Sequence, residues 1–319
     1  MDNSCSVCSA NTIAVSPLLS VNKNSRFGWD NDSTMELLGL YHANVQLRFC
    51  PKCLHSARYP KYDMSMLYGD KGGAVRKKIY EQYFPDKTYG VKKFPGLFGT
   101  EIEFLRFYYI ARLIAKYVQL AFNDKSIRIL DWGGGDGYVS NMYANVLGVC
   151  TGLKIENFVY DYTDWGKANN VDIDNLKHME KFDIVIIANI LEHTHDQIDT
   201  VKSTLPFLKD KGVVICEIPD DRHNIIRGLL RKKFGLSCHV TQYSRRSLHY
   251  LFKSIGLGNI HTIYQNNSSY RGERLCSVIG IAQSGNVQRK SEKIPSLISE
   301  IFSLVKSIIR RISFRLATR

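Results

Sequence analysis

A run of apolar residues that ends at a carboxylate and passes straight into spaced glycines constrains this chain more than any other feature. Ile129 and Leu130 lead to Asp131 and Trp132, glycines follow at 133, 134, 135 and 137, and Tyr138-Val139-Ser140 resumes an ordered pattern. Glycine admits backbone conformations closed to other residues and lets the main chain approach a ligand closely. The segment therefore reads as strand, tight turn and helix start, the first unit of a doubly wound α/β fold. A turn of this kind suits an adenosine-like moiety lying against its backbone.

Further strands follow in order. Asn157 to Asp161 is a short apolar run ending in a carboxylate, where doubly wound folds hold a ribose through its hydroxyls. Asp161 stands 28 residues after Gly133, longer than the usual spacing of about 20. Either the intervening helix is extended or Asp164 takes the role. Phe182 to Ala188 reads as a buried parallel strand opening into the polar turn Asn189-Ile190-Leu191-Glu192-His193, with His195 and Asp196 at the next helix start. Gly212 to Pro219 reads as the following strand, and Tyr243-Ser244 open a helix ending near Gly256. Residues 101–122 carry apolar side chains at helical spacing ahead of the first strand. Alternating elements of this kind predict a mainly parallel sheet covered by helices on both faces.

Taken together, these residues resemble class I S-adenosylmethionine (SAM)-dependent methyltransferases, over about residues 101–283. Asp131-x-Gly133-x-Gly135-x-Gly137 looks like motif I of that family, and the Leu191-Glu192-His193 turn looks like its fourth motif in enzymes acting on small molecules. The resemblance implies a Rossmann-like fold and SAM at the carboxyl ends of the strands. It implies a cofactor set of Asp131, Gly133, Gly135, Gly137, Asp161 and Asn189, with Asp131 near the sulfonium and amino-acid end. Since the sulfonium already activates the methyl group, the protein must align a nucleophile and take its proton. An imidazole, ordinarily titrating near pH 6.5, suits that task. His193 is the first candidate base and His239 the second, with Glu192 orienting an imidazole or contacting the acceptor.

Cysteine usage adds a second module. Cys5-x-x-Cys8 and Cys50-x-x-Cys53 are two pairs separated by 41 residues, and each can place two thiolates on one tetrahedral zinc. A four-thiolate site is closed to substrate, so one structural Zn2+ is expected, with a hairpin and loop between the pairs. Cys150, Cys216, Cys238 and Cys276 stand singly and read as packing residues. No apolar leader and no uncharged apolar run of about 18 residues is present, which predicts a cytoplasmic, thiol-reducing setting.

The stretch Arg48-Phe49-Cys50-Pro51-Lys52-Cys53-Leu54, followed by Tyr68-Gly69-Asp70, resembles the zinc-binding part of deoxysugar C-methyltransferases and related glycan-biosynthesis enzymes. That resemblance implies a sugar acceptor and matches His193 to the family's strand-four histidine. A later Glu-His pair of the family falls on Cys238-His239, so the glutamate is missing, and 319 residues leave no room for the family's further carboxy-terminal domain. Methylation of oxygen or nitrogen on a sugar of a surface polysaccharide is therefore expected over C-methylation. RNA methylation is the runner-up for a basic chain with a zinc module. It is disfavoured because Ala188 to His193 lacks the Asn/Asp-Pro-Pro-aromatic turn of many base-amino methyltransferases. A non-catalytic scaffold for glycan synthesis is a third reading, and the intact Asp131, Gly133, Gly135 and Asp161 set speaks against it.

Charge and the last segment complete the reading. The net charge is +13, and residues 286–319 carry eight Lys or Arg against two Glu, or +6. Within that tail Ile294, Leu297, Ile298, Ile301, Phe302, Leu304, Val305, Ile308, Ile309, Ile312 and Leu316 cluster on about half of a helix. A basic amphipathic helix fits an anionic membrane surface, which places the protein peripherally on the inner face; docking on its own domain or on a partner is the alternative. The expected organisation is a zinc-binding domain at 1–85, a linker or substrate loop at 86–100, the methyltransferase domain at 101–284 and a basic tail at 285–319. A basic apolar stretch from Arg222 to Lys233 falls where such enzymes often carry a lid.

Overall fold

The computed structural model describes residues 4–15, 19–20, 44–59, 110–115, 126–135, 137–161, 171–220, 239–270, 273–285 and 293–306. The expected linker at 86–100, most of the helix at 101–122, Asp164, the stretch 222–233 and residues 307–319 lie outside them.

Eleven strands are named among the described residues: β1 Ile13–Ala14, β2 Leu19–Ser20, β3 Asn44–Phe49, β4 Ser56–Tyr59, β5 Ser126–Trp132, β6 Lys154–Tyr160, β7 Phe182–Ala188, β8 Leu208–Pro219, β9 Thr241–Gln242, β10 Gly258–Tyr270 and β11 Glu273–Gln283. The named helices are α1 Tyr138–Thr151, α2 Ile173–His178, α3 Gln197–Lys202 and α4 Arg245–Ser254. Six strands form a sheet in the order β10-β11-β8-β7-β5-β6. The β6-β5, β5-β7 and β7-β8 pairings are parallel, and β8-β11 and β11-β10 are antiparallel. The chain leaves β5 for β6 on one side and returns to β7 on the other. Beside β5 the order reverses, which opens a crevice at the carboxyl ends of the strands. This is the class I methyltransferase fold, doubly wound and mainly parallel.

Strand residues alternate between two cores, as the pleat requires. Ile184 and Ile186 of β7 join Ile127, Ile129, Val213 and Ile215 on one face, under Tyr143 and Leu147 of α1 and the helical residues Ile110 and Ile114. Val185 and Ile187 join Leu130, Val214, Cys216 and Ile218 on the other, under Leu248, Leu251 and Phe252 of α4. Covering both faces explains why these strands read as continuous apolar runs and not as alternating ones.

The second sheet joins the amino-terminal segment to the strand at Thr241–Gln242. Strands β1, β3 and β4 run antiparallel in the order β1-β3-β4, with β2 also on β3, and β4 then pairs with β9. Cys5, Val7, Cys50 and Cys53 belong to the same core as α4 and β8. The amino-terminal segment is thus sewn into the doubly wound domain: Ser56 and Ala57 align with Gln242 and Thr241, and β9 supplies the sheet's last strand.

Candidate functional site

Residues after β5 form a backbone cradle. Gly133, Gly135 and Gly137 have φ of +71°, +57° and +73°, and Gly133 N–H donates to Tyr160 O at 2.6 Å, tying the turn to the end of β6. The loop wraps Asp131, which is 1% exposed. A Cβ on Gly134 would come within 2.3 Å of the Asp131 carboxylate, so this close approach needs glycine. At Gly135 a Cβ would meet nothing within 4 Å; its N–H donates to Asp161 Oδ2 at 2.9 Å. A left-handed glycine facing open space beside a carboxylate is what an adenosine ligand needs of its host, so these residues fit SAM. Asp161 follows β6 directly and touches the glycine loop; Asp164 lies outside the described residues. Burial and the neighbouring Asp161 raise the Tyr160 phenol.

The second cluster follows β7. Asn189 takes φ +55° and donates its N–H to Glu217 O at 2.8 Å, turning the chain into a 3-10 turn at Leu191–His193. Leu191 is fully buried and anchors the turn, Glu192 is 1% exposed, and His193 is half-buried. His193 Nε2 lies 3.7 Å from Glu192 Oε1. The His193 and His239 rings meet edge to face at 4.9 Å between centroids. Ligating atoms of Glu192, His193 and His239 all lie within 4.8 Å of one another. The three sequence-predicted catalytic candidates therefore converge at one point, although 46 residues separate His193 from His239.

What brings His239 there was not expected. Arg58 of β4 donates its Nη1–H to His239 O and its backbone N–H to Val240 O at 2.9 Å. Thr241 Oγ1 donates to Leu191 O at 2.8 Å, fastening β9 to the 3-10 turn. Tyr59 and His195 rings pack at 6.3 Å. The amino-terminal segment thus builds one wall of the acidic and imidazole cluster. No motif announces Arg58 or Thr241, since each acts through a pairing of strands distant in sequence. Glu217 was also missed: fully buried, it accepts from Tyr143 Oη at 2.9 Å and Ser277 Oγ at 3.1 Å, and a charged residue inside the apolar run Val213 to Ile218 was its only signal.

The four cysteines gather into a third cluster. Cys5 Sγ and Cys53 Sγ lie 3.6 Å apart, and Cys8 Sγ and Cys50 Sγ 3.5 Å; the set spans no more than 4.8 Å. A tetrahedral metal with 2.3 Å bonds to sulfur separates its ligands by about 3.8 Å, so the donor set fits a zinc-sized ion. Hydrogen bonds from Cys5 and Cys53 hold the Cys50 thiol far below its ordinary value. The bond to Cys50, then burial among the other causes, pushes Cys5 up to about 12, and Cys53 is also driven up. Crowded thiols thus resist a second ionisation, which a bound cation relieves. His55, buried, sets Nδ1 3.9 Å from Cys5 Sγ and packs edge to face on Tyr243 at 5.0 Å. Burial holds its imidazole down at about 4 and pushes the Tyr243 phenol well up. The knuckles are fixed to α4 as well: Ser244, which caps that helix in reciprocal hydrogen bonds with Ser247, donates its hydroxyl to Cys53 O at 3.1 Å.

Residues 104–262 match a family model described as a methyltransferase domain. No curated protein matches the chain. Among solved structures the chain is similar to the CurJ carbon methyltransferase, at 16% identity and TM-score 0.40 over 56% of this chain and 54% of that one. It is also similar to the plantazolicin methyltransferase BpumL in complex with SAH, at 15% identity and TM-score 0.42 over 70% and 94%. The chain spans about half the length of the CurJ and DszA carbon methyltransferases. The sheet has the class I methyltransferase fold, and the segment that matches the methyltransferase-domain model lies within it.

Proposed function

We propose that this enzyme methylates a hydroxyl or amino group of a sugar destined for a surface polysaccharide, at the cytoplasmic side of the membrane. The observation that carries the reading is the convergence of Glu192, His193 and His239 at the turn that follows β7, at the carboxyl ends of the parallel strands. SAM supplies a methyl group already activated on a sulfonium. The protein's own task is to hold the acceptor in line and to take its proton. His193 serves as the base, Glu192 beside it steadies the imidazolium that forms, and His239 closes the opposite side and binds the acceptor. Asp131, Gly133, Gly135, Gly137, Asp161 and Asn189 hold the cofactor. Cys5, Cys8, Cys50 and Cys53 hold one structural zinc that keeps the amino-terminal wall in place.

The sequence resemblance of Arg48 to Leu54 to glycan-biosynthesis methyltransferases supports a sugar acceptor. Cys238, standing where the C-methylating relatives carry glutamate, supports oxygen or nitrogen as the accepting atom. The test compares surface polysaccharide, nucleotide-sugar pools and ribosomal RNA from a deletion strain and its parent by mass spectrometry. Glycan lighter by one CH2 unit supports the proposal; a deficit confined to ribosomal RNA overturns it.

A further inference from the structure

The helix at residues 297–306 is docked with its polar side inward. Glu300 is 1% exposed and receives Arg245 Nε at 2.8 Å and the Tyr264 hydroxyl. Ser299 Oγ accepts from Arg245 Nη2 at 3.2 Å, and Arg246 Nη1 donates to Pro295 O at 2.8 Å. The opposite side carries Leu297, Ile298, Ile301, Phe302 and Val305, exposed by 46, 67, 53, 63 and 46%. At about 100° per residue these five occupy a sector of about 140°. Surface helices normally bury such a stripe; a contiguous row of large exposed apolar side chains marks a contact surface.

Charge indicates the occupant. Of the two acidic residues among positions 286–319, Glu300 is spent on Arg245, whereas eight Lys or Arg stand in the same stretch. Two copies meeting through this face would set like charges together. Along the sequence Ile308, Ile309, Ile312 and Leu316 repeat the apolar period, with Lys306, Arg310 and Arg311 outside its centre. Apolar stripe and cations together match the boundary between headgroups and acyl chains of an anionic bilayer. Among the described residues no helix is long and apolar enough to cross a membrane, so the contact is with the surface. We propose that the helix at 297–306 is a membrane-surface anchor, held with its apolar stripe outward by the Glu300–Arg245 ion pair, and that its partner is an anionic lipid bilayer.

The experiment is co-sedimentation of the full-length protein with vesicles of phosphatidylglycerol and phosphatidylcholine, against vesicles of phosphatidylcholine alone. The anionic vesicles should retain the protein at low salt, with binding reduced as salt screens the cations. Ile298→Asp combined with Phe302→Asp should weaken retention by about 100-fold and leave the unfolding temperature unchanged, because both side chains are exposed. Failure of the full-length protein to sediment with anionic vesicles at low salt overturns the proposal. So does a double variant that sediments undiminished. A lipid-free oligomer that the double variant dissolves to monomer, seen by light scattering, would assign the face to a second copy instead.

Discussion

The two sides of the crevice are made in different ways. The proposed cofactor side is one local turn, with Gly133, Gly135 and Gly137 at positive φ, joined by one carboxylate from the end of β6. The proposed acceptor side takes Glu192 and His193 from the turn after β7, His239 from the approach to β9, and the brace at Arg58 from the amino-terminal segment. A site built of adjacent backbone is as stable as the strand that carries it. A site built of three distant segments is only as stable as the pairings that bring them together. Damage to the amino-terminal segment should therefore reach the acceptor side and spare the cofactor side.

The sharpest test separates chemistry from cofactor binding. His193→Gln should lower kcat by about 100- to 10,000-fold, the usual range for a general base, and leave SAM affinity by calorimetry unchanged. A greater loss in His239→Gln would exchange the roles of the two imidazoles. Next, if the cysteine cluster holds the proposed zinc, Cys50→Ser should reduce metal content below one per chain and lower kcat by about 100-fold through displacement of His239. SAM should still bind. If affinity for SAM falls in step with activity, the two sides are not independent and the comparison fails.

Asp161→Ala acts on the cofactor side. It removes a candidate ribose contact, weakening SAM binding by about 1.5–3 kcal/mol, with kcat at saturating SAM nearly unaffected. Unchanged affinity would move the role to Asp164. The smallest effect is a pH dependence of α4, which carries both appended segments. Burial first, then Lys253 and Arg246, holds His249 below its ordinary range. The folded protein thus binds a proton there less readily than the unfolded chain. This stability is complete above the unfolded value near 6.5 and is lost as pH falls below it. His249→Gln should accordingly show a smaller drop in Tm between pH 7 and pH 5 than the parent protein.

Local features were legible in the sequence. The strand-turn-helix at Asp131 to Ser140 announces itself because one short segment contains everything needed to form it, and the two Cys-x-x-Cys pairs do so because metal geometry dictates their spacing. The hydrogen bond from Gly135 to Asp161 was not, since spacing along the chain cannot tell which carboxylate a turn will present to that amide. Nor was the pairing of β4 with β9, which depends on two short strands and a separation far beyond any local pattern. The tail shows the limit of periodicity most clearly. Its apolar stripe was readable, but not the direction it faces, because the buried Glu300–Arg245 contact outweighs the usual inward preference of the stripe.

The β4-β9 ladder also has a consequence for synthesis. Ser56 Oγ donates to Gln242 Oε1 across 186 residues of chain. A ribosome adding about 5–20 residues per second needs roughly 10–40 s to cover that interval. Throughout it the newly made amino-terminal hairpin presents an open edge at β4, the kind of edge that recruits stray strands. Early capture of a metal by the two cysteine pairs would hold the hairpin in register until its last strand is made, so metal supply during translation should influence how much of this enzyme reaches its folded form.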